Sequence, residues 1–153
     1  MGAVQQFYLA RGYTLNLLKK IDEDAWDRQP EGFSNTIRWN VGHVYNLAEY
    51  ILSLALESYE VQHHEWASFF KAGTSPSDWV EIPPAEAELF AAMKDQGKLI
   101  SELTDEQLGQ ALDTPIEIGK FITLHTVEDT LNFLSWHEGI HAGLIDGLAR
   151  VNR

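Results

Sequence analysis

Apolar residues recur at helical spacing in four long stretches of the chain. In the first, from roughly Ala3 to Ile21, Val4, Phe7, Tyr8, Leu15, Leu18 and Ile21 follow a helical period. The turn-forming run Pro30, Glu31, Gly32 and Phe33 closes that region. The second stretch runs from roughly Asn35 to Ser58, with Ser34 or Asn35 as its cap. It carries two apolar stripes, one through Ile37, Val41, Val44, Ala48, Ile51 and Ala55, the other through Trp39, His43, Leu47, Tyr50 and Leu54. Arg38, Asn46, Glu49, Ser53 and Glu57 form a third, polar line. Two apolar stripes predict neighbours on two sides. A third helix starts near Pro83 and Pro84, where proline is tolerated in a first turn, and its inner face is Leu89, Met93, Gln96, Ile100 and Leu103. The last runs from roughly Thr126 to Arg150 with Phe133, His137, Ile140, His141, Leu144 and Leu148 inward.

The connections carry their own signals. His63 to Lys71 reads as a short helix, followed by a loop at Gly73, Ser75, Pro76 and Ser77. Thr104-Asp105-Glu106-Gln107 is a capping box for another short helix. Thr114 to Leu124 contains Pro115, Gly119 and alternating β-branched residues, which predicts a short hairpin or an extended crossover. The pattern therefore predicts an all-α fold. It is a four-helix bundle in a single domain spanning 1–153, with a short irregular or hairpin crossover before the last helix.

Composition narrows the function. Hydrophobic residues make up 44% of the 153, enough for an ordered core. With no cysteine, disulfides, thiolate metal sites and a cysteine nucleophile are excluded. A net charge of −12, with no basic stripe to offset it, disfavours nucleic acid as a partner. Met1 to Tyr13 lacks the pattern of a signal peptide, and no apolar run is long enough for a membrane span. The default expectation is a cytoplasmic protein.

Candidate chemistry centres on histidine. His137 and His141 stand four apart on the last helix, about 40° apart around its axis and about 6 Å along it. Two imidazoles so placed can converge on one ion, and three protein ligands with an open position is the usual reactive arrangement. His43 is the natural third because it lies on an inward stripe, although a core histidine there is the alternative. His137-Glu138-Gly139-Ile140-His141 also matches the H-E-x-x-H signature of zinc proteases. That reading is set aside, since the usual downstream third ligand is missing from the twelve residues after His141 and the domain is small for a protease cleft. His63 and His64 beside Glu65 read as a solvated turn, and His125 lies about 120° around the helix from His137. Gly139, Gly143 and Gly147 repeat on the last helix at a cost of about 0.8–1.0 kcal/mol each relative to alanine. They serve either close approach by another helix, including one from a second subunit, or packing inside the monomer.

The segment Asn35-Thr36-Ile37-Arg38-Trp39-Asn40-Val41-Gly42-His43, together with His137, His141, Gly143 and Arg150, resembles the DinB-like superfamily, which includes the YfiT-like proteins. The resemblance covers nearly the whole chain. It implies a four-helix bundle, often a homodimer, with a divalent ion such as nickel or zinc on His43, His137 and His141. Some relatives join a low-molecular-weight thiol of the bacillithiol or mycothiol type to an electrophile. The leading expectation is thus a metal-dependent thiol transferase, and Trp39, Trp136 and Tyr45 are either apolar walls of its cleft or plain core. The rivals are a metal-dependent hydrolase with Glu138 as base, and a non-catalytic metal-binding stress-response protein.

Overall fold

A computed structural model describes residues 1–152; residue 153, inside the expected domain, lies outside the described residues. Its helices are α1 (Ala3–Leu18), α2 (Ile37–Ala55), α3 (Ala67–Phe70), α4 (Glu86–Ser101), α5 (Asp105–Leu108) and α6 (Val127–Val151). A hairpin of β1 (Ala111–Ile118) and β2 (Ile122–Thr126) precedes α6. The chain is therefore mostly helical but not all-α, and the hairpin alternative is the one realised. Gly119 turns it with φ +56°, a conformation that a β-carbon disfavours. Ile118 pairs with Ile122 and Ile116 with Leu124, after which the register shifts before Ala111 meets Thr126. Pro115, which has no N–H for the ladder, lies in that interval.

Local chemistry sets the helix boundaries. Thr36, not Ser34 or Asn35, caps α2, its hydroxyl accepting from the Trp39 N–H at 3.2 Å. The box expected at Thr104 and Gln107 forms, with Gln107 N–H on the Thr104 hydroxyl at 3.2 Å. Thr126 and Asp129 make a reciprocal pair that opens α6, at 3.0 and 3.1 Å. Each cap satisfies amide donors that the first turn cannot.

The four long helices pack in the cyclic order α1, α6, α2, α4. Two apolar clusters fill the ring. One gathers Leu18, Trp26, Trp39, Trp66, Phe70, Leu89, Met93, Ile145 and Leu148. The other gathers Phe7, Ile51, Leu52, Ile100, Leu124, Leu131 and Leu134. Burying each large side chain contributes about 1.5–3 kcal/mol. Between the clusters lies a polar layer with one member from each long helix. Arg11 Nε donates to both Glu138 oxygens at 2.9 and 3.1 Å. Its Nη2 reaches Gln96 Oε1 at 2.9 Å, and Gln96 Nε2 reaches Glu49 Oε1 at 2.7 Å. Arg11, Gln96, Glu49 and Glu138 are all buried, and a charge in that position requires such partners.

Two predicted faces differ from the fold. On α6 the buried face is Leu131, Leu134, Glu138, Ala142, Ile145 and Leu148, while Ile140 and Leu144 are exposed. On α2, Tyr50 and Leu54 are exposed, whereas Arg38 and Glu49 from the polar line are buried. Arg38 sits between Asp27 and Glu86 and donates to the Pro84 carbonyl at 2.7 Å. These ion pairs let charged residues occupy positions that a hydropathy pattern assigns to solvent. No helix among the described residues is long and apolar enough to cross a membrane.

Candidate metal centre

His43 comes from the first half of α2, and His137 and His141 from the middle of α6, the helix packed beside it. Their rings lie 5.2 Å (His43 to His137), 5.0 Å (His43 to His141) and 4.5 Å (His137 to His141) apart, centre to centre. One nitrogen from each falls within 4.8 Å of the others, a spacing that metal–nitrogen bonds of about 2.0–2.1 Å can span after small ring rotations. His43 is buried, and the other two are half-buried at the edge of the buried face of α6.

Two of the rings are held from behind. The Phe70 carbonyl lies 2.7 Å from His43 Nδ1. A carbonyl only accepts, so Nδ1 carries the proton and Nε2 keeps its lone pair. Asn40 Oδ1 lies 2.7 Å from His141 Nδ1. The Asn40 amide is oriented because its Nδ2 donates to the Thr36 carbonyl at 2.8 Å. His141 therefore also presents Nε2. Oriented imidazoles of this kind are the usual support of a metal ligand set.

Gly42 makes the first of these contacts possible. A β-carbon there would stand closer than 3.0 Å to three carbons of the Phe70 ring. Its absence lets Phe70, fully buried, lie against α2 with its carbonyl on His43. Trp39 then stacks on His43, 4.6 Å between centres and 10° from parallel, and its indole N–H donates to the Thr74 hydroxyl at 3.0 Å.

Burial sets the protonation of the cluster. Desolvation lowers the His43 pKa, against the raising effect of the Phe70 carbonyl. Desolvation, with His141 and His43 as neighbouring charges, takes His137 down to about 3. Desolvation, with His43 nearby, takes His141 to about 4. At neutral pH all three imidazoles are unprotonated donors, the state in which histidine binds a metal. The donor set therefore fits a divalent ion of the borderline class, to which zinc and nickel belong.

The remaining sequence candidates separate. Glu138 follows His137 but turns into the core, where Arg11 takes both its oxygens. It is 1% exposed and absent from the histidine cluster, so the residue proposed as a hydrolytic base is occupied structurally. Of the three aromatic walls, only Trp39 touches the cluster rings at close range. Tyr45 packs on Trp66 and His63, and Trp136 is 60% exposed beside Phe133. His63 stacks on Trp66 at 3.8 Å, His64 is exposed, and His125 is exposed at the end of β2. Asn40, Gly42 and Phe70 were not singled out for roles from the sequence. Asn40 and Gly42 lie inside the segment that carries the resemblance, but only the fold shows what they touch.

The family model described as the DinB superfamily matches residues 6–145. In fold the chain is similar to a crystal structure of a conserved protein from Enterococcus faecalis. The TM-score is 0.62, the identity 14%, and the match covers 99% of each chain. No curated protein matches it.

Proposed function

The chain belongs to the DinB superfamily, and from that membership and the converging histidines we propose a metal-dependent transferase acting with a low-molecular-weight thiol. On this reading the ring of four long helices is a four-helix bundle that holds one nickel or zinc ion on His43, His137 and His141. The observation that carries it is the meeting of three neutral imidazoles, two with Nδ1 tied to carbonyl oxygens. When bound, the ion supplies one piece of chemistry, favouring the thiolate of a thiol brought to its open position. The chain itself has no cysteine, so the sulfur nucleophile comes from a small molecule. Asn40 and the Phe70 carbonyl orient the rings, burial keeps them unprotonated, and Trp39 walls off one side from water. In the transfer the thiol would give its proton to solvent and its sulfur would bond to an electrophilic carbon, whose leaving group would depart with the electron pair of the broken bond. A hydrolase using Glu138 as base is disfavoured by the Arg11 pair. The test is a conjugation screen of small thiols against alkyl and aryl electrophiles. Activity that needs metal and disappears in His137→Ala supports the proposal; hydrolysis without thiol overturns it.

A homodimer is part of the same proposal. Gly139, Gly143 and Gly147 have nothing within 4 Å of a β-carbon position, so packing inside the chain does not require them. The same helix exposes Trp136, Ile140 and Leu144. Sedimentation of Gly143→Leu beside wild type tests it: a dimer that weakens supports the surface, and a wild-type monomer at micromolar concentration refutes it.

A further inference from the structure

A cleft of about 540 Å³ opens from His43 between α2 and the segment 61–72. That volume suits a small molecule. Its walls are mostly hydrocarbon, among them Leu47, Tyr50, Val61 and Ala67. Two charged residues border it, Glu49 and Lys71. Glu49 is 3% exposed, and its oxygens accept from the Tyr59 hydroxyl, from Gln96 Nε2 at 2.7 Å and from the Gln62 N–H at 2.8 Å. Its charge is thereby engaged by the protein.

Lys71 is the opposite case. It is exposed, and among the described residues no carboxylate lies within ion-pair distance of it. Its backbone is fixed beside the histidines, because the preceding residue, Phe70, has its carbonyl on His43. The Lys71 N–H also donates to the Ala67 carbonyl at 3.1 Å. In a chain of net charge −12, the general field repels anions. An unpaired ammonium at the rim of an apolar cleft reverses that field locally.

We propose that this cleft receives a small molecule with a hydrocarbon body and an anionic end, and that Lys71 selects for the anion. The body lies along Leu47, Tyr50 and Val61, and the opposite end reaches His43, the member of the histidine cluster that lines the cleft. The inference rests on the metal-centre reading for what that opposite end meets, while the role of Lys71 is separable from it.

The experiment compares mercaptohexanesulfonate with mercaptohexanol on the cobalt-loaded protein, following the thiolate-to-cobalt absorption band. A sulfonate is a poor metal ligand, so the tail reports on the cleft. Wild type should bind the sulfonate about three- to fivefold more tightly at low salt, the scale of one partly exposed ion pair. The preference should shrink as salt screens it. Lys71→Met should erase the preference, Lys71→Arg should retain it, and Lys71→Glu should invert it. Lys71 is exposed, so these variants leave the core untouched. Equal affinities in wild type, or a preference that survives Lys71→Met, overturns the inference. Hexanesulfonate and hexanol, which lack the thiol, run in parallel as melting shifts of the same cobalt protein. A larger shift with the sulfonate that depends on Lys71 upholds the anion site even where no thiolate band forms, an outcome that fells only the thiol reading. No difference between these two overturns the anion site.

Discussion

Replacing Gly42 with alanine adds one methyl group at a point where the structure has no room for it. The new carbon would fall closer than 3.0 Å to Cγ, Cδ1 and Cε1 of Phe70. Phe70 cannot swing aside freely, since its ring is fully buried and packs edge-on against Trp79, 5.8 Å between centres. Overpacking of a rigid core costs about 1–3 kcal/mol. A domain of this length loses about 2–4 °C of melting temperature per kcal/mol, so the metal-free protein should melt about 2–12 °C lower. The second effect is on the site. Any shift of Phe70 moves the carbonyl that fixes His43, and loss of such support costs about tenfold to a hundredfold in metal affinity. The assay is a pair of thermal melts, with metal and with chelator, plus a chelator competition for affinity. Gly12→Ala, in α1 and outside the glycine face of α6, is the control, because its added carbon meets nothing and should stabilise the protein by about 0.8–1.0 kcal/mol. A Gly42→Ala protein with unchanged melting and unchanged affinity would refute the argument that this glycine exists for Phe70.

Other outcomes follow from the same geometry. Asn40→Leu should lower metal affinity by about tenfold to a hundredfold, measured by chelator competition, because His141 loses the oxygen that fixes its ring. Glu138→Leu should cost about 3–5 kcal/mol in denaturant unfolding by stranding Arg11, with much of it recovered in the Arg11→Met/Glu138→Leu double variant. Metal affinity of the folded Glu138→Gln protein should be unchanged, and a metal-dependent activity abolished there with the metal retained would move the hydrolase reading ahead. The pH response has a definite sign. Well above 6.5, the ordinary histidine value, the three imidazoles are neutral in both folded and unfolded chains. As pH falls from 6.5 toward 4, the unfolded chain takes up protons that the buried cluster refuses, so stability drops. Melts of metal-free wild type should therefore fall more steeply over that window than those of a variant with all three histidines replaced; parallel curves would contradict the assigned burial.

The helices and the histidine pair were readable because they rest on local periodicity and an i, i+4 spacing. The inner face of the last helix was not. Its pattern offers Ile140 and Leu144 as core and leaves Glu138 off the inner face, and the fold reverses this because Arg11 waits for Glu138 on the neighbouring helix. A partner 127 residues away leaves no trace in the local pattern. Arg38 and Glu49 were misplaced for the same reason, each buried only because distant donors or acceptors meet it. The crossover resolved into a hairpin because Gly119 can adopt positive φ, an option the sequence permitted without demanding. The contacts of Gly42 and Asn40 needed Phe70 and His141 brought beside α2, which only tertiary structure does.

The most direct test of the three-histidine centre is the metal content of purified protein, measured by elemental analysis for wild type, His43→Leu and His137→Ala/His141→Ala. The account predicts about one divalent ion per wild-type chain, weakened retention in His43→Leu and none in the double variant. Full occupancy in the double variant, or retention in His43→Leu equal to wild type under chelator challenge, would contradict it.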